Sequence, residues 1–145
     1  MKDLPRRSWP VVLVLLLLLS GCRTTPQITT LDVSTLKNLT YTGIYADPVT
    51  LKQGSYEGEP FVPEGAARPR VQFAEPLYVI GDLDGDGVDE AACFLTESSG
   101  GSGSYTYLVI VDNDNSQYKN VVTQKLGDRV MIRALRLEQG KLELD

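Results

Sequence analysis

Histidine is absent from the chain, and its single tryptophan, Trp9, lies in an apolar N-terminal stretch. Without an imidazole, Ser-His-Asp and Cys-His catalysis are excluded within this chain, as is His-ligated zinc. Only two cysteines occur, Cys22 and Cys93. No segment repeats at a period of 20–50 residues, so the chain lacks the signature of a solenoid or propeller. Long hydrophobic runs are missing too. The longest, Val11 to Leu19, is nine residues, about 14 Å as a helix and roughly half a bilayer.

What is present is the composition of a globular protein, with 42% hydrophobic and 23% charged residues in a chain of 145. The formal charge is −5, and removal of residues 1–21, which carry Lys2, Arg6 and Arg7 against Asp3, leaves −7. So acidic a surface argues against nucleic acid and fits metal cations or basic partners.

The N-terminus has the layout of a secretion signal. A basic region over residues 2–7 precedes the apolar run, which ends in Leu19-Ser20-Gly21-Cys22. These four residues resemble the bacterial lipobox. That resemblance implies cleavage after Gly21, lipid modification of Cys22, and residence outside the cytoplasmic membrane, on the periplasmic side of the outer membrane in a Gram-negative cell. Two or three acyl chains make such anchoring stable, since each buried CH2 contributes about 0.8 kcal/mol. Lipidation of Cys22 leaves Cys93 no partner for an intramolecular disulfide, and its apolar strand makes it a buried small hydrophobe. Residues 22–38, polar and broken by Pro26, are expected to form the lipidated terminus and tether, with a short helix over Leu31–Asn38 capped by Ser34.

Residues 39–145 predict a mostly β, single antiparallel domain. Candidate strands are Val49–Lys52, Val71–Phe73, Leu77–Ile80, Ala91–Thr96, Tyr105–Asp112, Lys119–Leu126, Arg129–Glu138 and Lys141–Leu144, rich in Val, Ile, Leu and Tyr between Gly, Pro, Asp and Asn clusters. Ala91–Leu95 is apolar at every position, as expected of a central strand. Ser98–Ser104 reads as a hairpin connection, since no Gly-Lys-Ser/Thr ending and no helix follow to make it a phosphate loop. Asp112-Asn113-Asp114-Asn115 reads as a turn, and Gln139-Gly140 closes a final hairpin. The sequence stops at Leu144-Asp145 in mid-strand, which predicts a C-terminal continuation.

One segment carries a chemical signature: Asp82-Leu83-Asp84-Gly85-Asp86-Gly87-Val88-Asp89-Glu90. Acids alternate at loop positions 1, 3 and 5, and a glycine at position 6 permits a sharp bend. Calcium takes roughly six to eight oxygens at about 2.3–2.6 Å, and such a loop can wrap them around one ion. A solvated acidic turn with Asx hydrogen bonds is the alternative. An EF-hand is excluded, because position 12 is Cys93 and the flanks read as strands.

The run from Gly81 to Ala92 resembles the strand–loop–strand calcium motif of FG-GAP and integrin-type repeats. That resemblance implies side-chain ligands at Asp82, Asp84 and Asp86, a backbone carbonyl at Val88, and an acid at Glu90, with Asp89 as its substitute. It covers about a dozen residues and occurs once, so it implies a local, structural calcium site and not a propeller. Residues 40–145 more broadly resemble a group of bacterial lipoproteins and secreted proteins, a likeness that brings no activity with it.

Tyr41, Tyr45 and Tyr56, with Glu57 and Glu59, are candidates to line a carbohydrate or peptide groove. The resulting expectation is a lipid-anchored envelope module of non-enzymatic binding or accessory type, with a protein or glycan partner. A carboxylate-based hydrolase, or an inhibitor of one, is the alternative, to be recognised by paired acids across a cleft.

Overall fold

A computed structural model of the chain describes residues 30–114 and 117–145. The expected signal, Cys22 and the first part of the tether lie outside the described residues, as do Asn115 and Ser116. Among the described residues no helix is long and apolar enough to cross a membrane.

The architecture is β-rich and antiparallel. After a single helical turn, α1 (Val33–Leu36), come β1 (Thr40–Tyr41), β2 (Val49–Thr50), β3 (Ser55–Glu57), β4 (Arg70–Gly81), β5 (Glu90–Ser98), β6 (Tyr105–Asp114), β7 (Gln117–Asp128), β8 (Leu135–Glu138) and β9 (Lys141–Leu144). A five-stranded sheet in the order β3-β4-β5-β6-β7 is flanked by two separate hairpins, β1-β2 and β8-β9. The large sheet curls into a half-barrel and does not close.

Bulges account for the curl, because an extra residue bends its strand and raises the local twist. Phe73 pairs with Leu95 and Tyr78 with Cys93, so four residues of β4 stand opposite Phe94 alone. Between β6 and β7 the register shifts twice, once at Thr106/Tyr107 and once at Ile110/Val111. At the second shift Val121 is the extra residue, and beside it the Asn120 side chain serves a neighbouring loop. Its Oδ1 accepts from the Thr42 amide at 2.9 Å, its Nδ2 donates to the Val122 carbonyl at 2.8 Å, and the Thr123 hydroxyl donates to the Thr42 carbonyl at 2.7 Å. The loop after β1 thereby covers part of the β7 edge, which would otherwise be open to pairing with another chain.

Strand β5 is buried along nearly its whole length, and the pleat sends alternate residues to opposite faces. Ala91, Cys93 and Leu95 join Val71, Val109 and Val111 in the main core, which α1 and the β1-β2 hairpin cover with Leu36, Tyr41, Val49 and Leu51. Ala92 and Phe94, also fully buried, face the other way. Gly81, paired with Glu90, lies on that second face, and a side chain there would meet Leu137 Cδ2 at 2.9 Å. The C-terminal hairpin therefore packs on the second face, beside the end of β4. Burial pushes the Cys93 thiol up to about 12, consistent with a packed, unreactive group.

Several expectations are corrected. The segment assigned to a tether as far as residue 38 is folded: Leu36 is fully buried, and Leu31 and Val33 pack on the core. Its helix is capped by Asp32, which accepts from the Thr35 amide at 2.7 Å, and not by Ser34. Val71–Phe73 and Leu77–Ile80 are one bulged strand, β4. The expected strand over Arg129–Glu138 is reduced to Leu135–Glu138, because Arg129 turns the chain at φ 51 and the Arg133 and Ala134 amides both point at the Asp145 carbonyl. Tyr41 is buried and lines no groove; its hydroxyl donates to the Leu36 carbonyl at 2.7 Å.

Tyr41→Phe keeps the ring but leaves that buried carbonyl without its donor. Urea denaturation should show a loss of about 1–2 kcal/mol; an unchanged midpoint would mean that the hydrogen bond does not hold α1 to the core.

Candidate metal centre

The acidic segment is the connection between β4 and β5, two paired strands of the large sheet. Its ends are set by the Gly81–Glu90 pair, so residues 82–89 must reverse the chain within eight positions. Gly85 and Gly87 both take φ 88, a region that costs an L side chain roughly 1–2 kcal/mol. Neither glycine is required for space, since nothing lies within 4 Å of where a Cβ would sit. The backbone conformation alone selects them.

This double reversal turns the loop amides inward onto the carboxylates. Asp82 Oδ1 accepts from the Gly85 amide at 2.6 Å and Oδ2 from the Gly87 amide at 3.1 Å. Asp84 accepts from its Asp86 neighbour's amide at 3.1 Å, and Asp86 from the Val88 amide at 2.8 Å. These Asx bonds draw three side chains of the same sign together. Among the described residues, Asp82, Asp84 and Asp86 form the one group in which a carboxylate oxygen from each of three acids lies within 4.8 Å of the others.

That spacing suits a hard cation. Oxygens on opposite sides of an ion held at about 2.3–2.6 Å stand about 4.6–5.2 Å apart, and calcium prefers such all-oxygen sets. The Oδ2 atoms of Asp84 and Asp86 take no hydrogen bond within the loop, and carboxylate oxygens that accept one amide retain a lone pair. The cluster can hold a metal ion.

The two remaining acids stand apart. Asp89 is exposed, and it is not in the cluster. Glu90 is buried at the start of β5 on the second face, where its Oε2 accepts from the Leu83 amide at 2.9 Å. Burial raises its pKa above the ordinary carboxylate value; the Leu83 amide opposes that rise, and the nearby Asp84, Asp86 and Asp82 charges add to it. Glu90 thus braces the loop from beneath, a role that counting positions along the loop did not reveal. The signal was its place immediately before the apolar run Ala91–Leu95. Val88 lies on the exposed rim, and its amide is already engaged with Asp86.

No protein family, curated protein or solved structure matches this chain. The resemblance to FG-GAP loops therefore rests on the residue pattern of the loop alone.

Gly85→Ala and Gly87→Ala should each lower stability by about 1–2 kcal/mol although both sites are open. Gly101→Ala, equally open and free of positive φ, should be neutral. Equal melting temperatures for all three variants would show that the loop conformation is not under this backbone constraint.

Proposed function

We propose that this chain is a lipid-anchored protein of the cell envelope, of non-enzymatic binding or accessory type, whose β domain is stabilised by one calcium ion. The observation that carries the metal part is the convergence of Asp82, Asp84 and Asp86 within 4.8 Å on a loop whose two ends are fixed by paired strands. The ligand set is these three carboxylates with the Val88 carbonyl, completed by Asp89 or Glu90 as the resemblance to FG-GAP loops implies. The ion's role is structural: it neutralises like charges that the turn forces together. It is held in the low-affinity range of extracellular modules, with dissociation constants of about 10⁻⁴–10⁻³ M.

The anchor part rests on the order of a basic region, a nine-residue apolar run and Leu-Ser-Gly-Cys. An envelope location places the loop where calcium reaches such concentrations. The two readings support each other but are tested separately.

For the metal, calcium at about 100 times its dissociation constant should add roughly 2.7 kcal/mol, a rise in melting temperature of about 5–15 °C that EDTA reverses. The double variant Asp82→Asn/Asp84→Asn should lose this response. A wild-type melting curve indifferent to both calcium and EDTA would remove the metal.

For the anchor, Cys22→Ser should move the protein from the membrane fraction to the soluble fraction with its melting curve unchanged. Retention in the membrane fraction would overturn the lipid assignment.

A further inference from the structure

Away from the acidic loop, the loop between β3 and β4 displays an aromatic residue that the core does not use. Phe61 is 57% exposed. It sits where the chain is tied back on itself, with the Phe61 amide donating to the Ala67 carbonyl at 3.2 Å and the Gly65 amide to the Val62 carbonyl at 2.9 Å. Phe61 is one wall of a cleft of about 260 Å³ whose other lining residues are Tyr45, Ala46, Asp47, Tyr56 and Pro69. That volume falls below the roughly 300–1,000 Å³ of small-molecule sites and suits a single inserted side chain.

One wall is held in place from behind. The Tyr45 hydroxyl donates at 2.8 Å to Glu97, a carboxylate only 4% exposed that also accepts from the Ser99 hydroxyl. Fixing the ring before a ligand arrives removes part of the ordering cost of binding.

Over residues 45–70 four acids, Asp47, Glu57, Glu59 and Glu64, outnumber the three bases, Lys52, Arg68 and Arg70. Arg68 and Arg70, the basic residues nearest in sequence, are both engaged by Glu57, at 3.6 and 2.7 Å. Asp47 has neither an ion pair nor a hydrogen bond among the described residues, and the exposed Glu59 and Glu64 of the Phe61 loop have no ion pair there. Three aromatic residues and one carboxylate line the cleft, and ring faces and carboxylates both attract a cation. Tyr56 also lines a neighbouring cavity of about 310 Å³ with Pro48, Thr50, Lys52, Ser55 and Glu57. There the Ser55 hydroxyl can meet a peptide backbone, while the Thr50 hydroxyl is paired with that of Thr40 at 2.8 Å.

We infer that the Tyr45–Tyr56–Phe61 cleft, with Asp47 in its lining, receives a lysine or arginine side chain of a basic peptide segment. The inference rests on the reading of the chain as a binding module and names the chemistry of its partner. A neutral glycan would use the same rings but would leave the uncompensated acids without a role, so the charge pattern favours the cation.

The test is calorimetric titration of the full chain, held in a neutral detergent with calcium present, using a capped tetralysine peptide and, separately, chitotetraose. Tetralysine should bind at one site and weaken as salt is raised, because the exposed charges are screened. Phe61→Ala should weaken it about three- to thirtyfold, and Asp47→Asn about two- to fivefold. Glu143→Gln, an equal change of charge on exposed β9, should leave it unaltered. Both cleft positions are exposed, and an unchanged circular dichroism spectrum checks that the variants fold.

Absence of tetralysine binding, an equal loss in Glu143→Gln, or binding of chitotetraose in its place would each overturn the proposal. The response to calcium and EDTA scores the metal loop independently, so either result can fail while the other stands.

Discussion

Strand β5 has almost no solvent-facing side. Ala91, Cys93 and Leu95 project one way and Ala92 and Phe94 the other, all with negligible exposure. A strand of this kind needs two covers, and most of the remaining structure consists of them. On the first face, α1 and the β1-β2 hairpin bring Leu36, Tyr41, Val49 and Leu51 down on the sheet. On the second, the C-terminal hairpin meets the end of β4, with Leu137 against Gly81. Burying a large aliphatic or aromatic side chain contributes roughly 1.5–3 kcal/mol, so leaving either face uncovered would be costly for a chain of this size.

The same constraint prepares the acidic loop. Because β4 and β5 are paired up to Gly81 and Glu90, the intervening turn begins and ends on a rigid ladder. Glu90 then falls on the buried second face, and its carboxylate is within reach of the Leu83 amide. The aspartates are left at the open end, where two glycines in a left-handed conformation turn backbone amides toward them. Those amides offset part of the repulsion among three carboxylates. A bound cation offsets it more completely, because it carries full charge and replaces water on several oxygens at once.

The elements that were readable from residue order are those dominated by one strong local signal. Ala91–Leu95, apolar at each position, is the central strand, and Gln139-Gly140 closes a hairpin with Leu135↔Leu144 as its outermost pair. Ser98–Ser104 joins neighbouring strands, and the acids at 82, 84 and 86 do converge. Where two local signals competed, residue order misled. Glu75-Pro76 looked like a break between two strands, yet pairing to β5 on both sides carries β4 through it as a bulge. Arg129–Ala134 has the composition of a strand but forms no continuous ladder: β7 has already ended, and only the segment's ends find backbone partners, Arg129 on Ser104 and Arg133 and Ala134 on Asp145. Residues 31–38 were counted with the tether although a short helix was readable there, because their three apolar residues mean little until a core exists to receive them.

What the sequence determined by itself was chemistry: the absence of imidazole, the acidic balance, the alternating aspartates with glycine at the bend, and the order of a basic region, an apolar run and a cysteine. These depend on residue identity, composition and local spacing, so no long-range contact is needed to read them. Only the tertiary structure showed how the acids are disposed: Asp82, Asp84 and Asp86 converge, while the pleat alternation turns Glu90 to the buried face, where it meets the loop through the Leu83 amide. It likewise buried Tyr41 while leaving Tyr45 and Tyr56 to line a cleft with Phe61, residues up to 16 positions apart. Such sorting follows from strand register, where a shift of one residue exchanges inside for outside, and register is set only when distant strands pair.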